Sequence, residues 1–146
     1  MTSRTRYPPE LRERAVRLLL DTHVLLWWLA DHRRLGRRAR AAIADRRATI
    51  WVSAVSAWEI AIKFALGRLD LPEPPEVCVP REIERQHFTP LPVSVEHALA
   101  VAGLPAHHAD PFDRLLIVQA QLEDLTIVTA DSAFARYDVH TRDARA

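Results

Sequence analysis

Five carboxylates, each beside a segment boundary, are the residues of this chain best placed to do chemistry: Asp21, Glu59, Asp110, Asp113 and Asp131. Asp21 ends the apolar run Leu18-Leu19-Leu20, and Glu59 lies a few residues after the run that ends at Val52. Asp110 and Asp113 flank Pro111-Phe112, and Asp131 follows Ile127-Val128-Thr129-Ala130. If those runs are parallel strands, the acids converge on one edge of one sheet. Crowded like charges raise one another's pKa, and a divalent cation with oxygen ligands is the usual means of holding them ionised. Such a site points to metal-assisted cleavage of a phosphodiester.

Each acid also has a structural reading. Asp21 with Thr22 can cap a following helix, and Ser56 with Glu59 matches the S-x-x-E capping box. Asp110 and Asp113 fall at the N-cap and third positions of a helix opened by Pro111, where the macrodipole favours carboxylates. Asp131 can cap a short final helix. Taken singly, capping is the simpler account. It does not explain why every acid should follow a strand.

Around the acids stand His107, His108, Arg114 and Thr129. Adjacent histidines cannot easily share one tetrahedral ion, which disfavours zinc, so His108 reads as loop polarity or a substrate contact. Arg114 is a surface cation or a phosphate clamp. Thr129 is either an ordinary strand-end residue or a hydroxyl that orients a carboxylate or substrate. Trp27, Trp28, Trp51 and Trp58 lie in apolar stretches and read as core or dimer packing rather than base-stacking surfaces.

The elements that must position these groups alternate between strand and helix. Strands are expected at Arg17–Asp21, Thr49–Val52, Thr89–Val93 and Thr126–Thr129, with prolines demoting the third toward a sheet edge. Helices are expected at Thr22–Ala30, Arg37–Arg47, Ser53–Leu69, Pro80–Phe88 and Ser94–Gly103, and from Asp110 to about Asp124. A short helical turn follows at Ser132–Arg136. This alternation argues for a parallel α/β sheet with ligands outside the strand carboxyl ends. The polar tail 141–146 is expected to fray.

The length suits one domain with a single buried core. One cysteine, Cys78, excludes an internal disulfide framework and fits a reducing, cytoplasmic setting. No apolar stretch is long enough to cross a bilayer, and the N-terminus does not read as a secretory signal. Charge is lopsided: residues 1–47 hold twelve Arg against five Asp/Glu, whereas residues 48–146 hold eight Lys/Arg against fourteen Asp/Glu. The arginines at 33, 34, 37, 38, 40, 46 and 47 read as a solvated helix face or as contacts for a polyanionic substrate.

Four segments together resemble the PIN-domain ribonucleases of the VapC toxin type. They are Leu18-Leu19-Leu20-Asp21-Thr22-His23, Ser56-Ala57-Trp58-Glu59-Ile60-Ala61-Ile62-Lys63, Leu104 through Ile117 with Asp110-Pro111-Phe112-Asp113-Arg114 at its centre, and Val128-Thr129-Ala130-Asp131. The resemblance implies an α/β fold, a three-layer α/β/α sandwich around a short, mainly parallel sheet. It implies an endoribonuclease dependent on Mg²⁺ or Mn²⁺, a homodimer, an RNA substrate and a cognate antitoxin. The catalytic, metal-binding acids would be Asp21, Glu59, Asp113 and Asp131, with Asp110 one helical turn earlier and open between ligand and cap. Arg114, Thr129 and His108 would face the substrate.

The nuclease domain is expected over residues 17–140. Residues 1–16 form an extension in which Arg6 to Val16 resembles the opening helix of a transposase helix-turn-helix, without its second helix. A structure-specific DNA nuclease and a catalytically weak RNA-binding module are the alternatives. Asp21-Thr22-His23 lacks the Asp-x-Asp of a haloacid-dehalogenase phosphatase, and no lysine follows a late strand as a receiver domain requires.

Overall fold

The computed structural model describes residues 16–146, so the N-terminal extension lies outside the described residues apart from Val16. Leu18, Leu19 and Leu20 are buried on both faces of strand β1 (Val16–Leu20), as the middle of a covered parallel sheet demands. Helices α1 (Thr22–Leu29) and α2 (Arg37–Ala44) lead to β2 (Ala48–Ser53). Helices α3 (Ala54–Ala65) and α4 (Pro75–Arg85) lead to β3 (Thr89–Leu91). Helix α5 (Val95–Ala100), a 3-10 turn (Val101–Gly103) and α6 (Pro111–Glu123) lead to β4 (Thr126–Thr129). A second 3-10 segment (Ser132–Arg136) precedes β5 (Thr141–Asp143).

All four strand pairings are parallel, in the order β3-β2-β1-β4-β5. Alternation along β1 assigns the layers. Leu18 and Leu20 join Val24, Leu25, Leu35, Ile43 and Val79 in one core, while Leu19 joins Leu116, Ile117, Ala120 and Phe134 in the other. Helices therefore cover both faces, giving the expected α/β/α sandwich. The chain runs outward from β1 to β3, then returns to pair β4 on the other side of β1. That reversal opens a crevice at the carboxyl ends of β1 and β4, where open α/β sheets bind ligands.

Two expectations are corrected. Helix α4 begins at Pro75 rather than Pro80, and Pro80 sits in its interior at the cost of one backbone donor. The tail does not fray. Residues 141–143 pair with β4, Ala144 is fully buried, and its carbonyl accepts from Gly36 N at 2.8 Å. The Ala146 carbonyl accepts from Arg38 N and Ala39 N, satisfying donors at the start of α2. A Cβ on Gly36 would overlap that oxygen, so glycine is what lets the two segments approach.

Candidate active site

Asp21 directly follows β1, and its backbone N–H donates to Val128 O at 3.0 Å, tying it to β4 across the crevice. It occupies the N-cap position of α1, yet its side chain makes no cap bond. Instead Oδ2 accepts from Thr129 Oγ1 at 2.8 Å, and the same Oγ1 accepts from Asp131 N at 3.0 Å. Thr129 therefore orients the Asp21 carboxylate. Burial pushes the Asp21 carboxyl above its ordinary range, and the Thr129 hydroxyl opposes that rise.

Glu59 is not part of a capping box. Helix α3 is capped by Ser53, whose hydroxyl accepts from Val55 N at 3.0 Å, while Ser56 lies inside the helix and accepts from Thr22 Oγ1. Glu59 is thus a mid-helix carboxylate, buried to 3% exposure. Its Oε2 accepts from Lys63 Nζ at 2.6 Å, one turn on. Its Oε1 is buried without a hydrogen-bond partner among the described residues. An unpartnered buried carboxylate oxygen is costly, and it fits a site designed for a cation.

Asp110 and Asp113 divide the two roles. Asp110 is the N-cap of α6, its Oδ1 accepting from Phe112 N at 2.8 Å and Asp113 N at 3.2 Å. Asp113 caps nothing and turns inward. Its carboxyl is pushed up to about 8, first by burial and then by the charges of Asp21, Asp110, Glu59 and Asp131. All four other acids therefore act on this one group, which makes it the electrostatic centre of the cluster. Asp131 does both: Oδ1 caps the 3-10 segment through Ala133 N, and Oδ2 faces His108.

His108 stands between two acids, with Nε2 at 2.9 Å from Asp113 and 3.1 Å from Asp131. Its Nδ1 accepts from Asp110 N at 3.2 Å, which assigns the ring proton to Nε2. His108 then donates to Asp131 Oδ2, with Asp113 Oδ2 close beside the same nitrogen. The nitrogen that meets the acids carries a hydrogen and has no lone pair for a metal, although His108, Asp113 and Asp131 lie close enough to form a ligand group.

Arg114 is occupied elsewhere. Its guanidinium donates to the carbonyls of Pro105, Val101, Leu104 and His108 at 2.8–3.3 Å. Rather than a free phosphate clamp, it is the strut that shapes the loop carrying His108. His107 packs edge-on against Tyr137. Two residues beside the acids went unassigned in the sequence: Lys63, which the four-residue spacing from Glu59 could have flagged, and Phe112. Trp58, expected in core or dimer packing, is not in the core: it is exposed, with its ring centroid 5.0 Å from that of Phe112.

The PIN domain family model matches residues 18–140, and the chain belongs to this family. Ribonuclease VapC22 of Mycobacterium tuberculosis is 34% identical over 116 residues, 78% of this chain and 86% of that protein. Ribonuclease VapC16 of the same organism is 49% identical over 59 residues, a stretch spanning only 40% of each chain. Among solved structures, VapBC2 from Rickettsia felis bound to a promoter DNA fragment matches with a TM-score of 0.65, covering 87% of this chain and 98% of that one at 15% identity. That likeness confirms the fold.

Proposed function

We propose that this protein is a Mg²⁺- or Mn²⁺-dependent endoribonuclease, the toxin of a toxin–antitoxin pair. The observation that carries the reading is that Asp21, Glu59 and Asp113 gather at the β1/β4 crevice without capping any helix. Helix capping, the rival account of these acids, leaves all three unexplained. The two ribonuclease relatives and the VapBC complex favour the same chemistry and an antitoxin partner. The reading also takes the active chain as a homodimer acting in the cytoplasm, with the nuclease domain beginning near residue 17.

Asp21, Glu59 and Asp113 would hold the ion, with Asp131 at its exposed side. A bound divalent cation would supply positive charge to the phosphate and acidify a water molecule. The chain's own contribution is to pre-form the acid cluster. Thr129 orients Asp21, Lys63 holds one oxygen of Glu59 and leaves the other free, and Asp110 caps the helix that presents Asp113. His108 donates from Nε2 to Asp131 and stands close to Asp113, holding the two carboxylates near one another.

Purified protein incubated with single-stranded RNA in Mn²⁺, in Mg²⁺ and in EDTA tests the proposal, alongside Asp21→Asn and Asp113→Asn. Cleavage should require the metal and fall by at least about a hundredfold in each variant. Cleavage that persists in EDTA or in both variants defeats the mechanism, and a preference for DNA defeats the substrate assignment.

A further inference from the structure

Trp58 is the only exposed residue among the described Trp, Phe and Tyr, at 58% exposure, and it directly precedes Glu59, among the most buried acids of the chain. Its ring meets Phe112 edge-to-face at 73°, and Phe112 directly precedes Asp113. Two site acids on different helices are thus each preceded by one ring of the same aromatic pair. An indole is large and apolar, and leaving it in water forgoes the burial that normally favours it. A tryptophan needed only for the core would turn inward, as Leu19, Val55 and Ile60 do nearby. Phe112 supports one side of the indole, and the remainder is open to solvent one residue along the chain from Glu59.

From this placement we infer that Trp58 is a stacking platform for an unpaired nucleobase of the nucleotide next to the cleaved phosphodiester, with Phe112 as its support. This deepens the nuclease reading and rests on it for the position of the scissile bond. Every base presents a π-face, so stacking holds single strands without selecting a sequence. It also excludes duplex RNA, whose bases are engaged with one another. Trp58 would therefore be a positioning residue that favours single-stranded substrate and sets the register of the strand over the acids.

The test measures affinity separately from cleavage. A fluorescent single-stranded RNA is titrated in EDTA with the native protein, Trp58→Ala and Trp58→Phe. The same strand is then used with one abasic nucleotide moved stepwise past the cleavage position. Trp58→Ala should bind the intact strand roughly 5- to 100-fold more weakly, while Trp58→Phe stays within about threefold of native. With metal present, the alanine variant should show a raised KM and a largely retained kcat. One abasic position, and only one, should erase the difference between native and Trp58→Ala. Equal binding by native and alanine proteins overturns the inference, as does a loss identical at every abasic position. Light scattering on the same samples supplies a third check. If Trp58→Ala turns a dimer into monomers, the indole is packed between copies of the chain and the inference fails. Native protein that binds with the single-position abasic pattern but never cleaves supports the platform and defeats only the nuclease reading. Native protein that binds no single-stranded RNA overturns both.

Discussion

Replacing Asp113 by asparagine should make the metal-free protein more stable while abolishing its activity. Asparagine is nearly isosteric with protonated aspartic acid and removes the charge from the most crowded position of the site. The Asp113 carboxyl is pushed up to about 8 by burial and by its four acidic neighbours, whereas in the unfolded chain it titrates near 4. Between those values the folded state binds a proton that the unfolded state has lost, so stability falls as pH rises. The penalty is absent below pH 4, grows through neutrality and levels off above about pH 8. At about 1.4 kcal/mol per pH unit the full interval would be worth nearly 6 kcal/mol. Its side chain keeps 14% exposure, and the proton is shared among coupled acids, so roughly 2–3 kcal/mol is the realistic loss. That corresponds to a melting temperature about 5–10 °C higher for Asp113→Asn at pH 8. Thermal melts of both proteins in EDTA from pH 4.5 to 8.5 read the difference directly. The two curves should meet at the acidic end and diverge as pH rises. Adding Mn²⁺ should raise the native melting temperature and leave the variant nearly unmoved. Equal melting temperatures across the range, or a native protein that gains on the variant toward alkaline pH in EDTA, would refute the picture of Asp113 as the strained centre of the site.

Three further substitutions probe the supports of the cluster. Lys63→Met removes the cation from buried Glu59; because the ammonium is itself over a third exposed, the expected loss is a modest ~1–2 kcal/mol, and denaturant titration should find it largely rescued in Lys63→Met/Glu59→Gln. Arg114→Ala strips donors from four loop carbonyls, and should cost roughly 2–3 kcal/mol and speed amide exchange in residues 101–108 well before the sheet is affected; exchange that stays native would contradict the strut assignment. Gly36→Ala forces its new methyl group into the Ala146 carbonyl and should cost about 1–3 kcal/mol, with β5 amides losing protection first.

Residues whose roles were legible in the sequence are those that act through their own side chains on neighbours near in the chain or through a strand's alternation. Leu18-Leu19-Leu20-Asp21 announces a buried parallel strand and an acid at its carboxyl end, and both the sandwich and the crevice follow from repeating that pattern. Position along the chain could not separate acids that cap helices from acids that do not, because the two share the same locations. Only atoms decide it: Asp110 Oδ1 receives two backbone donors, whereas Asp113, three residues on, receives none among the described residues and faces His108 and four neighbouring charges. The Ser56-x-x-Glu59 spacing was a false cap for the same reason, since Ser53 had already taken that role.

What stayed hidden has a common physical cause: the partners are backbone atoms, which every sequence possesses. Strand β5 is polar because its three residues are exposed at a sheet edge, so no hydrophobic alternation marks it, and its ladder to β4 is made of amides alone. Arg114 resembles a phosphate clamp in composition, and only the closeness of four carbonyls shows that its donors are already engaged. These two cases bear on function together. Of the backbone-held parts, β5 pairs with β4 and the 101–108 loop brings His108 to Asp113 and Asp131, while Lys63 holds Glu59 from within α3. Under the proposed nuclease reading, the acids would carry the reaction and this frame of less legible residues would shape the approach of the substrate to them.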